Sequence, residues 1–411
     1  MDRLIVKNFG PLKDVDIELN KINLLIGENG SGKSVLGKLL NILKNLSHEI
    51  NIQQKDFEGH LESFGISYIQ ENTFLQYFIN DKLFIEFREN KFELKEYEDI
   101  SKTNIQNLEK INKIIMLIKQ LDKLENLKDD ILNPLKNKIK EILDDDNFKI
   151  VNSLVDEVGL EYFESTLQEM IVKEKSHYIP AERNLISIFS SSILSFINSN
   201  LPIPKYLIEF GSQFELARRQ IKTLDLLNVK YIYENNLDNV YFSKHKSLPL
   251  DKSSSAIQSV LPLLLVVKYL KTNLNKNKNT HIIIEEPELN LFPKAQLDIL
   301  KSIVANIPLH SSLLLMTHSP YVLSTLNTLM MAYKAGNLGE EAKKEVNKLF
   351  QEEQWINPKE FSAYFLEDGI ARDIRGRTGL ISENVIDEIS DEMACDFEEL
   401  LELYSEYSHD K

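Results

Sequence analysis

Apolar positions along the chain change their period several times. Residues 1–26 carry short, partly alternating runs, "RLIVKNF" and "INLLIG", with a turn at "GPLKD", and predict strands. Over 34–48 the spacing turns helical, with Val35, Leu36, Leu39, Leu40 and Leu43 on one face. "FGISYIQ", "KLFIEF" and "KFELKEY" predict a small antiparallel β region. Over 101–132, Ile105, Leu108, Ile111, Ile114, Ile118, Leu121, Leu124 and Leu127 recur every three or four positions among Lys, Asn, Asp and Glu, the signature of one long amphipathic helix. Pro134 and a second helix with Leu135, Ile139, Ile142 and Leu143 follow; a hairpin, a short coiled-coil arm or an ordinary helical subdomain all fit. Residues 150–230 read as mostly helical, broken at "HYIPAERN", with strands returning at "KYIYEN" and "VYFSK". From residue 253 the order is helix, strand, helix, strand: "SSSAIQSVLPLLLVVKYL", "HIIIEE", "PKAQLDILKSIV", "SLLLMTH". That alternation predicts a parallel sheet and an α/β fold. The remainder predicts a helix at 339–354, a hairpin at "AYFLEDGIARDI" and an acidic helix from about 383.

Composition narrows the classes. A hydrophobic fraction of 43% fills a core, and a formal net charge of −15 repels a phosphate backbone, so any nucleic-acid contact is local. The single cysteine, Cys395, excludes an intramolecular disulfide and a thiolate metal cluster. "MDRLIVKNFG" lacks the apolar core of a signal peptide, and no run approaches the roughly 20 apolar residues of a membrane span. The expectation is a cytoplasmic protein without a membrane partner.

Two stretches carry chemistry. "GENGSGKS" satisfies G-x-x-x-x-G-K-[ST] between a predicted strand and a predicted helix, comprising Gly27, Glu28, Asn29, Gly30, Ser31, Gly32, Lys33 and Ser34. Such a loop curls backbone N–H groups around phosphate oxygens at a helix N-terminus, where the dipole adds positive potential. Lys33 is expected to reach the β- and γ-phosphates of ATP and Ser34 to ligate Mg²⁺. The second stretch is "IIIEEPELNLFP", where a buried strand ends on Glu285 and Glu286. Adjacent carboxylates repel unless a cation or substrate stands opposite. In P-loop enzymes one such acid holds Mg²⁺ and another polarises water. Glu285 is assigned to the metal, through a bound water because Asp is usual there, and Glu286 to the attacking water.

Together with "EEPELNLFP" and "MTHSP", the P-loop resembles the heads of ABC/SMC-type ATPases, and most closely RecF, the OLD-family ATPase domain and stand-alone ATPases of anti-phage systems such as Septu. The resemblance implies an ABC/SMC-like P-loop ATPase head with a helical insertion. It divides the chain into an N-terminal half of the head (1–100), a helical insertion or arm (101–175), a C-terminal half (176–335) and a C-terminal α/β extension (336–411). "SSSAIQS" resembles the ABC signature, so Ser254, Ser255 and Gln258 are expected at nucleotide, the serines across a dimer at the partner's γ-phosphate; Ala256 stands where glycine is usual. His318 matches the switch histidine, and "ELNLFP" the loop that crosses the dimer interface. Either Gln70 or Arg183 serves as the Q-loop equivalent, Arg183 being a nucleotide sensor or a surface arginine.

"FLEDGIARDI" superficially resembles the entry to a TOPRIM nuclease, but no D-x-D strand follows, so no intrinsic nuclease is expected. Two functions remain. One is an ATP-driven switch, a homodimer or higher oligomer joined through ATP-bound heads, that acts in anti-phage defence through a separate effector such as a nuclease. The other is a RecF/SMC-type DNA-binding ATPase of repair, with Arg218, Arg219, Lys222, the lysines of 268–278, Arg372, Arg375 and Arg377 as the candidate DNA surface.

Overall fold

A computed structural model describes residues 1–46, 52–95, 175–192, 202–274, 280–308, 310–382, 395 and 397–400. The helices expected between 101 and 143, and most of the acidic helix expected from 383, lie outside the described residues. The chain opens with β1 (Asp2–Phe9), β2 (Leu12–Leu19), β3 (Ile22–Ile26), α1 (Lys33–Leu46), α2 (Gln54–Ser63), β4 (Phe74–Ile79), β5 (Lys82–Arg88) and β6 (Lys91–Leu94). Later come β7 (Ser176–Ile179), α3 (Asn184–Ile188) and α4 (Lys205–Gln220), then β8 (Thr223–Leu226), β9 (Val229–Glu234), β10 (Leu237–Ser243) and β11 (Lys246–Pro249). The rest is α5 (Ser255–Leu274), β12 (His281–Glu285), α6 (Pro293–Ala305), β13 (Ser312–Thr317), α7 (Pro320–Gly336), α8 (Glu340–Leu349), β14 (Phe361–Glu367) and β15 (Ile370–Asp373).

Eleven strands form one sheet in the order β6-β5-β4-β1-β2-β15-β14-β3-β13-β12-β7. The run from β14 to β7 is parallel throughout. Its strands are continuous apolar segments because both faces are covered, and alternation sends neighbours to opposite sides. Leu24, Ile282, Ile284, Leu313 and Leu315 join one core with residues of α5, α6 and α7. Leu25, Ile283, Leu314 and Met316 join the other, against α1 and α2. This is the α/β class expected from the sequence.

Three local features differ from expectation. "FGISYIQ" is not a strand: Phe64 and Gly65 end α2, and a turn joins Gln70 to Thr73 before β4 begins. Phe64 and Ile66 are apolar because they are buried beyond the end of α2, beside Phe57 and Leu61. The strands expected at "KYIYEN" and "VYFSK" are β9 and β10, but β8 and β11, which the periodicity does not predict, extend them into an antiparallel meander, β11-β10-β9-β8. Two of its three hairpins turn on left-handed pairs, Leu227–Asn228 and Asn235–Asn236, the backbone favoured in two-residue hairpin loops. Most consequential is the C-terminal hairpin, expected as part of an extension. β14 lies inside the sheet, hydrogen-bonded to β3 in register Phe365↔Ile26, with β15 between it and β2.

Candidate functional site

Parallel strands align their C-terminal ends, and in open α/β sheets ligands bind beyond those ends. Register places Ile26 beside Thr317, Met316 beside Glu285, and Ile284 beside Ile179. The P-loop leaves β3, the carboxylates leave β12, and His318 leaves β13, all at this edge. The expected residues therefore converge because the strands carrying them share one direction.

Glu28, Asn29 and Gly30 are exposed, and Gly30 and Gly32 adopt left-handed φ values of 80° and 104°. Lys33 folds back over the loop, donating to Gly27 O at 2.6 Å and Glu28 O at 2.7 Å, with Ser31 Oγ at 3.4 Å. Burial lowers the Lys33 pKa, while Glu286, Glu288 and Glu285 raise it. The ammonium thus already sits in the field of all three carboxylates. Ser34 is exposed on the first turn of α1.

Glu285 is buried, and its Oε2 accepts from Ala181 N at 3.2 Å. Tyr178 and Tyr206 lie close to it: burial first, and then this carboxylate among others, raises both phenols, Tyr206 to about 12. Glu286 departs from strand geometry with φ +43°, uncommon for a residue with a side chain. Its N–H donates to Met316 O at 2.8 Å, and its carboxylate stands 3.7 Å from His318 Nδ1. That separation is too long for a hydrogen bond. Glu288 is a third acid, which the sequence reading left in the interface loop. It is buried and accepts from Thr317 Oγ1 at 2.5 Å, and Thr317 Oγ1 also receives Ser319 N. Its other oxygen has no hydrogen-bond partner among the described residues, and burial raises its pKa. Only the three-residue offset from Glu285 hinted at it.

The donor set fits Mg²⁺ with a nucleotide. Magnesium takes one or two carboxylates plus phosphate oxygens and water rather than an all-protein cage. Among the described residues no group of three or more His, Cys, Asp or Glu side chains forms such a cage. What is present is an exposed Ser34 hydroxyl, the Lys33 ammonium and the strand-end carboxylates.

Residues 1–323 match the AAA ATPase domain family. The chain belongs to this family. No curated protein matches it. Among solved structures it is similar to the SMC head domain from Thermotoga maritima (10% identity, 90% of this chain and 97% of that one, TM-score 0.37). It is also similar to MJ1267, an ATP-binding cassette of an ABC transporter in its ADP conformation (12%, 94% and 96%, 0.35). A third similar structure is the recombination mediator protein RecF of the RecFOR pathway (11%, 90% and 97%, 0.30). Likenesses this slight carry no inference about function or assembly.

Elsewhere in this AAA ATPase domain the expected residues fare unevenly. Ser254 and Ser255 are exposed at the start of α5, and among the described residues no hydrogen bond or ion pair ties them to the P-loop. Gln258 turns its amide onto its own chain, donating to Asp251 O at 3.0 Å and Leu250 O at 3.4 Å, so it braces the turn before α5. Gln70 is exposed in a turn. Arg183 is neither a surface arginine nor open to nucleotide: it is 0% exposed and donates to four backbone carbonyls. Burial draws its pKa down to about 10 against the pull of Glu288, Glu286 and Glu285.

Several candidates for a DNA surface are committed to the fold. Arg218 is buried between Glu215 and Asp238, and Arg219 pairs with Glu215. Arg375 is held by Asp373 and Phe361 O, and Arg372 lies over the Phe365 ring. Among the described residues no helix is long and apolar enough to cross a membrane.

Proposed function

We propose that this AAA ATPase domain binds Mg²⁺·ATP at the strand-end site, hydrolyses it, and works as an ABC/SMC-like dimer switch. The observation that carries this reading is the meeting of Lys33, Glu285, Glu286 and His318 at one sheet edge, while Ser254 and Ser255 stand exposed without a bond to it. In this reading Gly27 to Gly32 wrap the phosphates, and Lys33 leaves its two carbonyls for the β- and γ-oxygens. Ser34 and Glu285 would hold Mg²⁺, which when bound would supply positive charge to the phosphates. Glu286 accepts the proton of the attacking water, and His318 contacts the γ-phosphate. A second copy supplies Ser254 and Ser255 from the N-terminus of its α5. Phe292, 80% exposed in the loop after the carboxylates, is an apolar residue placed to be covered by that copy. Resemblance to stand-alone ATPases of anti-phage systems extends the proposal to defence through a separate effector such as a nuclease. The alternative, a DNA-binding repair ATPase, draws less support, because Arg218, Arg219 and Arg375 are engaged within the chain; DNA-stimulated turnover with a steep salt slope would restore it.

The test follows ATP-driven association. Glu286→Gln, which keeps the nucleotide, should dimerise at saturating ATP by light scattering, and Ser255→Arg should block that dimer through clash and unpaired charge. Mixing Lys33→Ala with Ser255→Arg chains should return some ATPase, because a heterodimer holds one site with a good P-loop and a good signature. A Glu286→Gln protein that stays dissociated, with undiminished ATPase in Ser255→Arg, would sink the sandwich.

A further inference from the structure

α5 contains a proline, Pro262, within its helical span. A proline has no N–H, so the carbonyl four residues back, that of Gln258, has no helical donor. Ser187 Oγ fills the vacancy at 2.6 Å. The next carbonyl, Ser259 O, receives Arg183 Nε at 2.9 Å. The same guanidinium reaches in the opposite direction to the carboxylate segment. NH1 donates to Glu285 O at 2.7 Å and to Pro180 O at 3.0 Å, and NH2 donates to Glu286 O at 2.6 Å. Arg183 and Ser187 are both 0% exposed.

Each part has a physical reason. Four carbonyls converging in a dry interior need donors, and a guanidinium offers five N–H groups in a fixed planar fork. Pro262 opens the helix where α3 and the turn before it deliver Ser187 and Arg183. Glu286 holds its left-handed backbone through three bonds: its N–H donates to Met316 O, and its carbonyl accepts from Leu289 N and from Arg183. A shift of the first turns of α5 therefore pulls on the peptide that aims the Glu286 side chain. Gln258, bonded to Asp251 O, extends the brace to the turn preceding Ser254.

We propose that Arg183, assisted by Ser187 and Pro262, is a positioning residue that couples the start of α5 to Glu286 within one chain. This rests on the dimer reading above, in which the start of α5 serves the partner's nucleotide and Glu286 serves its own. The clamp then makes the two composite sites interdependent: closure of α5 on one ATP sets the carboxylate geometry at the other.

The test uses the full chain and the variants Ser187→Ala, Pro262→Ala and Arg183→Lys. ATP affinity is read by calorimetry, turnover and its Hill coefficient by steady-state ATPase, and folding by thermal midpoint. Among the described residues no bond joins Lys33 or the P-loop to the clamp, so affinity should stay within about twofold. Turnover should fall at least fivefold, and a wild-type Hill coefficient above 1 should drop toward 1. Pro262→Ala is the informative variant, because it restores a helical N–H for Gln258 O. Its thermal midpoint should stay within a few degrees of wild type while turnover falls. A merely structural clamp predicts that stability and turnover fall together; that result, or wild-type turnover and cooperativity in both Ser187→Ala and Pro262→Ala, overturns the coupling. Arg183→Lys failing to fold leaves those two variants to decide. Failure of the dimer reading is separate and visible in the Glu286→Gln protein, as absent ATP-driven association.

Discussion

Gly27→Ala probes the wall behind the nucleotide loop. A Cβ at Gly27 would lie 2.2 Å from Leu366 O and 3.1 Å from Leu366 C, whereas real Cβ atoms essentially never approach below 3.0 Å. The obstruction is backbone of β14, which is hydrogen-bonded to β3 and cannot rotate aside as a side chain would. Relief requires β14 and the loop to separate by roughly 1 Å, and overpacking of this kind costs about 1–3 kcal/mol. With a backbone atom as the obstacle, the upper end, about 3 kcal/mol, is expected. Gly30→Ala is the control: nothing lies within 4 Å of its Cβ position, but φ is +80°. That variant meets only left-handed strain, about 1–2 kcal/mol. Urea unfolding of both proteins, with ATP affinity by calorimetry, separates the two costs. Gly27→Ala should also weaken ATP binding, because the displaced peptide begins the phosphate cradle. A Gly27→Ala protein within about 0.5 kcal/mol of wild type would refute the contact with β14.

Lys33→Ala should abolish ATP binding, because the loop loses its ammonium; calorimetric affinity within twofold of wild type would refute the P-loop assignment. Glu286→Gln should bind ATP yet hydrolyse it about 10²–10⁴ times more slowly, since an amide cannot take the proton of water; undiminished turnover would pass the role to Glu285. Glu288 titrates above the carboxylate value of 4.5 because it is buried, so the folded chain keeps its proton to higher pH than the unfolded one. Its contribution to stability is complete below 4.5 and declines as pH rises through the folded value. Glu288→Gln should flatten that decline in urea midpoints taken from pH 4.5 upward; a variant with the wild-type slope would refute it.

The candidate site was legible in the sequence wherever its chemistry sits on consecutive residues. "GENGSGKS" and the pair Glu285–Glu286 need only a strand before them to be placed, and β3 and β12 are unmistakable apolar runs. Glu288 was harder, because its role depends on Thr317, which reaches it only once β13 pairs with β12. Arg183 was misread for a related reason. Exposure of an arginine is not written in its neighbours, and its carbonyl partners come from β12 and α5, roughly 75–100 residues further on. Gln258 matched a motif by spacing, yet its amide is consumed by Asp251 O, a contact set by the turn before α5. Periodicity likewise identified the "AYFLEDGIARDI" hairpin without revealing where in the sheet it inserts.

That insertion bears on how the molecule is born. β3 carries the P-loop, yet one of its two parallel neighbours is made more than 300 residues later. At about 5–20 residues per second of synthesis, β3 waits roughly 15–70 s for β14. Until then the sheet is open along that side of β3, and the nascent chain carries an unpaired edge at the strand that leads to its phosphate loop. A ribosome that stalls before residue 361 releases a chain with every chemical motif and no finished cradle. The wall behind the phosphate loop thus waits on translation past β14, and messages truncated before it yield fragments that lack that wall.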